Sequence, residues 1–120
     1  MARILVIEDD ALVRDWIRDG LSAAGHVVVV ANDGREGLVR FRSERPDLVI
    51  TDIFMPERNG LDVILELAPS RVNIIAISGG GDLDRGDHLD DAVNFGARWS
   101  LMKPFTIETL IKLVNEATTT

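Results

Sequence analysis

Apolar residues along the chain follow two alternating periods. Short runs rich in β-branched residues, at Ile4 to Ile7, Val27 to Ala31, Leu48 to Thr51, Ile74 to Ile77 and Trp99 to Met102, read as five strands. Their nearly continuous apolar character is that of parallel strands covered on both faces. Between them the spacing becomes helical. Val13, Trp16, Ile17, Gly20, Leu21 and Ala24 predict a first helix, ended by Gly25 at its C′ position. Leu38 and Phe41 mark a second, which stops before Pro46 because a proline ring disfavours a helical residue ahead of it. A third follows Asn59-Gly60 through Leu61, Ile64, Leu65 and Ala68 to Pro69. A fourth is expected near Leu89 to Phe95, in a region whose residues 79 to 91 hold Gly79-Gly80-Gly81, Gly86 and five aspartates. The fifth places Ile107, Leu110, Ile111 and Val114 at i, i+3, i+4 and i+7 behind Thr106 as N-cap. The tail Ala117-Thr118-Thr119-Thr120 reads as frayed.

Five βα units of this size close as an open, doubly wound α/β sheet, since right-handed crossovers put helices on both faces. No internal repeat or linker interrupts the pattern, so residues 1–120 read as one domain. In an open parallel sheet ligands bind beyond the carboxyl ends of the strands. Glu8, Asp9 and Asp10 follow the first strand, Asp52 the third, Ser78 closes the fourth and Lys103 follows the fifth. Residues spread along the whole chain thus meet at one rim. Three carboxylates from Glu8, Asp9 and Asp52 repel if crowded unless a pKa rises or a cation binds, and oxygen ligands beside a lysine suit Mg²⁺. Such an ion is usually shared with phosphate. An aspartate that accepts a phosphoryl group needs the charge on its oxygens neutralised, which Mg²⁺, Lys103 and the Ser78 hydroxyl could do.

Composition removes several other classes. With 13 Lys and Arg against 20 Asp and Glu, the net charge of −7 repels nucleic-acid backbones and anionic membrane surfaces. The absence of cysteine excludes disulfides, thiolate chemistry and Cys-ligated zinc, and suits a reducing cytoplasm. No apolar run approaches the ~20 residues that span a bilayer, and the first residues lack the apolar region of a signal peptide. A flavin or nucleotide carrier on the same fold needs a phosphate loop after the first strand, where this chain is triply acidic, and stacking aromatics, which make up only 5% of residues.

The segments Ile-Leu-Val-Ile-Glu8-Asp9-Asp10, Asp47-Leu-Val-Ile-Thr-Asp52-Ile-Phe-Met-Pro56, Ile74-Ile-Ala-Ile-Ser78-Gly-Gly and Leu101-Met-Lys103-Pro104-Phe105 together resemble the receiver domain of two-component response regulators, over essentially the whole chain. The resemblance implies a flavodoxin-like (CheY-like) sheet of order 2-1-3-4-5 and a phosphorylatable switch rather than a classical enzyme. It implies that Asp52 is the phosphoacceptor and that Glu8, Asp9 and Asp52 hold Mg²⁺ with the backbone carbonyl of Phe54. Ser78 would be the hydroxyl that moves toward the phosphoryl group, and Lys103 the lysine that pairs with it. The implied donor is a histidine kinase or histidine phosphotransfer protein. A downstream protein or second receiver would dock on the fourth helix, fifth strand and fifth helix, and a docking scaffold that is never phosphorylated is the alternative.

Local readings complete the expectations. Asp10 falls outside the implied metal set and reads as the N-cap of the first helix. His26 and His88 read as surface residues, and Gly79-Gly80-Gly81 lacks the lysine and spacing of a phosphate loop. Three residues before Lys103, where many receivers carry an aromatic, this chain has Ser100. Trp99 is adjacent, but strand alternation points it to the other face. The expectation is therefore that the segment from Gly79 to Asp91 carries the output.

Overall fold

A computed structural model of the chain describes residues 2–53, 60–78 and 96–119. Within them the order is β1 (Arg3–Ile7), α1 (Ala11–Ala23), β2 (Val27–Ala31), α2 (Gly34–Glu44), β3 (Leu48–Asp52), α3 (Gly60–Leu67), a 3-10 turn (Ala68–Ser70), β4 (Asn73–Ser78), β5 (Trp99–Met102) and the C-terminal helix α4 (Ile107–Thr118). All strand pairs are parallel and the sheet order is β2-β1-β3-β4-β5. The expected helix near Leu89 to Phe95, the segment from Gly79 to Asp91, His88 and Phe54 lie outside the described residues.

Strand alternation explains why both sets of inward positions are apolar. Ile4 and Val6, Leu48 and Ile50, Ile75 and Ile77 join Ile17 and Leu21 of α1 and Leu110 and Val114 of α4 in one core. Their neighbours Leu5 and Ile7, Val49, Ile74 and Ala76 join Leu38 of α2 and Val63, Ile64 and Leu67 of α3 in the other. Polar side chains are thereby pushed to the strand ends, where no helix covers them.

Local signals end the elements. Asp10 caps α1 by accepting from the amides of Leu12 and Val13 at 3.0 and 3.3 Å. Gly25 follows the helix at φ +96, a conformation open to glycine and strained for other residues. Thr106 caps α4 through the Thr109 amide at 3.1 Å.

Three expectations change. Leu65 is exposed and Val63 takes its place inside, because Gly60, Val63, Ile64 and Leu67 form the i, i+3, i+4, i+7 stripe that meets the sheet. The C-terminus is ordered through Thr118: Ala117 is fully buried, and its carbonyl accepts from Asn73 Nδ2 at 2.8 Å. His26 is half-buried, and its Nδ1 accepts from the Ala2 amide at 3.1 Å. That acceptor role needs an unprotonated Nδ1, and burial correspondingly holds the imidazole pKa below its ordinary value. Trp99 and Ser100 conform to expectation, with Trp99 packed on the α1/α4 core and Ser100 exposed.

The β3 to α3 connection brings backbone against backbone. Gly60 donates its amide to the Ile53 carbonyl at 2.8 Å. A Cβ at Gly60 would overlap the Asp52 carbonyl oxygen and sit 2.7 Å from Ile53 Cα. Neither group can swing away as a side chain would. Gly60→Ala is expected to lower stability by about 1–3 kcal/mol through overpacking, read as a reduced denaturation midpoint at unchanged m-value. An unchanged midpoint would show that this contact is relaxed in solution.

Candidate functional site

Each polar residue at the rim is set by its strand and tied to the next one. Glu8 directly follows β1 and donates its amide to Ala31 at the end of β2 at 3.1 Å. Asp52 ends β3, and the next amide, Ile53, donates to the Ile77 carbonyl of β4 at 2.9 Å. Ser78 ends β4 and its carbonyl accepts from the Lys103 amide at 2.8 Å. The ends of β1 and β2, and those of β3, β4 and β5, are thus laced together by main chain, and the side chains follow.

Lys103 Nζ lies 2.7 Å from Glu8 Oε1 and 3.1 Å from Asp52 Oδ2. The two carboxylates are buried, at 2% and 6% exposure, while Asp9 is exposed. One carboxylate oxygen from each of Glu8, Asp9 and Asp52 lies within 4.8 Å of the others. The structure therefore brings Glu8, Asp9, Asp52 and Lys103 together, with Ser78 at the adjoining strand end. Asp10, as expected, faces its helix.

One ammonium does not balance three carboxylates. Burial, with the neighbouring Asp52 carboxylate adding to it, pushes the Glu8 pKa up to about 8 against the opposing pull of Lys103. A proton on Glu8 is the remaining way to relieve crowding when Lys103 is the sole cation. Burial would lower the lysine pKa, yet the Glu8 and Asp52 carboxylates outweigh it and raise the value above normal. Lys103 is thereby held charged.

Two buried polar atoms have no hydrogen-bond partner among the described residues, Glu8 Oε2 and Ser78 Oγ. Unsatisfied buried oxygens are costly and uncommon. An all-oxygen acidic set with a spare buried carboxylate oxygen fits a hard divalent cation of the Mg²⁺ type. Size does not mark the site: a cavity of about 430 Å³ bounded by Arg45, Asp47, Arg71 and Asn73 lies at the opposite ends of β3 and β4. Beside the carboxylates there is instead a small apolar cavity of about 240 Å³, lined by Val13, Trp16, Lys103, Pro104 and Phe105. The Trp16 and Phe105 rings are 5.6 Å apart there, and the Lys103-Pro104 peptide is cis.

The profile of the response regulator receiver domain family matches residues 4–115. The chain belongs to the response-regulator receiver-domain family. It is 38% identical over 112 residues to the response regulator MprA of Mycolicibacterium vanbaalenii, covering 91% of this chain and 47% of that protein. It is 32% identical over 117 residues to the chemotaxis protein CheY of Thermotoga maritima, covering 95% of both. A receiver domain from Clostridium thermocellum superposes with a TM-score of 0.89 at 34% identity, over 98% of this chain and 94% of that one. The chain spans about half the length of several relatives, MprA and the mycobacterial PdtaR among them, and nearly all of CheY. As a receiver domain it is a phosphorylatable switch of two-component signalling, from a family that binds Mg²⁺ at an acidic pocket. No described helix is long and apolar enough to cross a membrane.

Sequence reading missed one residue at this rim. Arg14 of α1 donates from Nη1 to the Glu8 backbone carbonyl at 3.3 Å. Nothing in its spacing announces this, because an arginine in a first helical turn is ordinarily a solvated side chain.

Charge crowding makes a stability prediction. In EDTA, Asp52→Asn should be more stable than the parent by about 1 kcal/mol, a rise of roughly 4 °C in Tm for this size. Removal of one buried charge leaves Lys103 paired with Glu8. A Tm that is unchanged or lower would mean that the two carboxylates do not oppose each other.

Proposed function

We propose that residues 1–120 act as one receiver unit in which Asp52 accepts a phosphoryl group from a phosphohistidine on a histidine kinase or histidine phosphotransfer protein. The observation that carries this reading is the Lys103 ammonium held between two buried carboxylates, with a third carboxylate alongside. A carboxylate oxygen of Asp52 forms the bond to phosphorus as the phosphorus–nitrogen bond breaks, and the imidazole leaves and recovers a proton. Glu8, Asp9 and Asp52, with the Phe54 carbonyl, would hold Mg²⁺. Bound there, the ion neutralises charge that develops on the phosphoryl oxygens. Lys103 is already charged and placed at the acceptor, so it pairs with one phosphoryl oxygen with little reorganisation. The buried Ser78 hydroxyl, unpartnered among the described residues, supplies a donor for another. Hydrolysis of the acyl phosphate at the same site resets the switch.

The output we propose is a protein contact: a downstream protein or second receiver docking on the helix expected near Leu89 to Phe95, β5 and the C-terminal helix. The exposed Ser100 and Met102 of β5 belong to that face. The charge of −7 supports a protein target over nucleic acid or an anionic membrane, and the lack of cysteine agrees with a cytoplasmic setting.

Intact-mass spectrometry after incubation with acetyl phosphate and Mg²⁺ tests the chemistry. The wild type should gain one phosphate, Asp52→Asn none, and Lys103→Met should react roughly a hundredfold more slowly. A gain that survives in Asp52→Asn would remove Asp52 as acceptor. No gain in folded wild type would favour a docking scaffold.

A further inference from the structure

Arg14 occupies an environment that a surface arginine does not need. Its side chain is only 16% exposed, although it belongs to the first turn and a half of α1, beside the rim. The carboxylate paired with it, Asp15, is nearly half exposed and stands 3.9 Å from Nε, at the edge of ion-pair range. Asp15 also lies closer, at 3.2 Å, to Arg18. A largely buried cation with so weak a partner is expensive unless another group compensates it. The hydrogen bond from Nη1 to the Glu8 carbonyl provides that compensation.

That carbonyl belongs to the peptide bond joining Glu8 to Asp9. On its other side, the Glu8 amide is fixed to Ala31 by the last bond of the β1–β2 ladder. Beyond β1 no ladder partner among the described residues orients the next peptide, and Asp10 is already committed to capping α1. Among the described residues Arg14 is thus the side chain that holds the carbonyl of the Glu8–Asp9 peptide, from which the buried Glu8 and the exposed Asp9 side chains both spring. The Arg14 amide bonds to the Asp10 carbonyl at 2.8 Å as part of the first turn of α1, so the backbone that carries the guanidinium is fixed in the helix that follows the acidic pair. Residues 8 to 14 form a closed loop of contacts around it.

We infer that Arg14 is a positioning residue for the cation site, holding the Glu8–Asp9 peptide so that the carboxylates of Glu8, Asp9 and Asp52 converge. This rests on the reading above that the three carboxylates bind Mg²⁺. Groups that orient metal ligands without touching the ion commonly change affinity by about tenfold or more when replaced.

The test is a titration of wild type, Arg14→Lys and Arg14→Met with Mg²⁺ alone, followed by tryptophan fluorescence and by calorimetry, with metal-free thermal unfolding of each. Both variants should need about tenfold more Mg²⁺ for half-saturation. Acetyl phosphate labelling of Asp52 at saturating Mg²⁺ should return to the wild-type rate, since the acceptor itself is not altered. A purely structural arginine would lower the metal-free Tm and leave half-saturation where it was, which would overturn the inference. If the arginine acted only through its charge, Arg14→Met would bind Mg²⁺ more tightly and Arg14→Lys normally, which would also overturn it. Wild type that binds no Mg²⁺ would overturn the cation reading itself, and this inference with it. If Arg14→Met does not fold, Arg14→Lys alone decides, because it keeps the charge and loses the planar fork.

Discussion

The Lys103 ammonium stands 2.7 Å from Glu8 and 3.1 Å from Asp52, bridging residues 95 and 51 positions away in the chain. The rest of the rim is arranged around that contact. Two buried carboxylates can share one site only if positive charge lies between them, and the remaining acidic excess must be met by a proton or a second cation. The rise of the Glu8 pKa to about 8 records the first solution. Mg²⁺ would supply the second. A site strained by its own charge when empty responds strongly to what binds it, which is the physical requirement for a switch.

The sheet makes the contact possible. Its strands are apolar on both faces because α1 and α4 cover one side and α2 and α3 the other, so charged side chains find room only at the ends. Main-chain bonds from Glu8 to Ala31, Ile53 to Ile77 and Lys103 to Ser78 lock these ends into register. Gly60 allows α3 to begin directly against the Asp52 carbonyl. Asp52 is therefore held by backbone on both sides, while Arg14 holds the carbonyl between the acidic pair.

Much of this was legible in the sequence because it depends on period and order. The five β-branched runs, Gly25, Pro46 and the caps Asp10 and Thr106 each carry local physics strong enough to survive folding. Parallel strands then bring Glu8, Asp52, Ser78 and Lys103 to one rim without any long-range information. What escaped depends on three-dimensional packing. Leu65 and Val63 exchange inside and outside through a small rotation of α3 that spacing cannot fix. His26 and the tail at Ala117 are held by partners far away in the chain, Ala2 and Asn73. Arg14 is ordinary by composition, and only its burial and its bond to the Glu8 carbonyl set it apart.

Trp16 lines the cavity that also holds Lys103, whereas Trp99 lies at the start of β5, stacked under the Arg98 guanidinium at 4.8 Å. The most direct measurement of the central claim uses that difference: titration of Trp99→Phe protein with beryllofluoride, a mimic of the aspartyl phosphate, following Trp16 fluorescence. A saturable change that requires Mg²⁺ and disappears in the Asp52→Asn background is expected, as Lys103 shifts toward the bound group beside Trp16. A change that persists in the Asp52→Asn background, or none in folded protein with Mg²⁺ present, would contradict it.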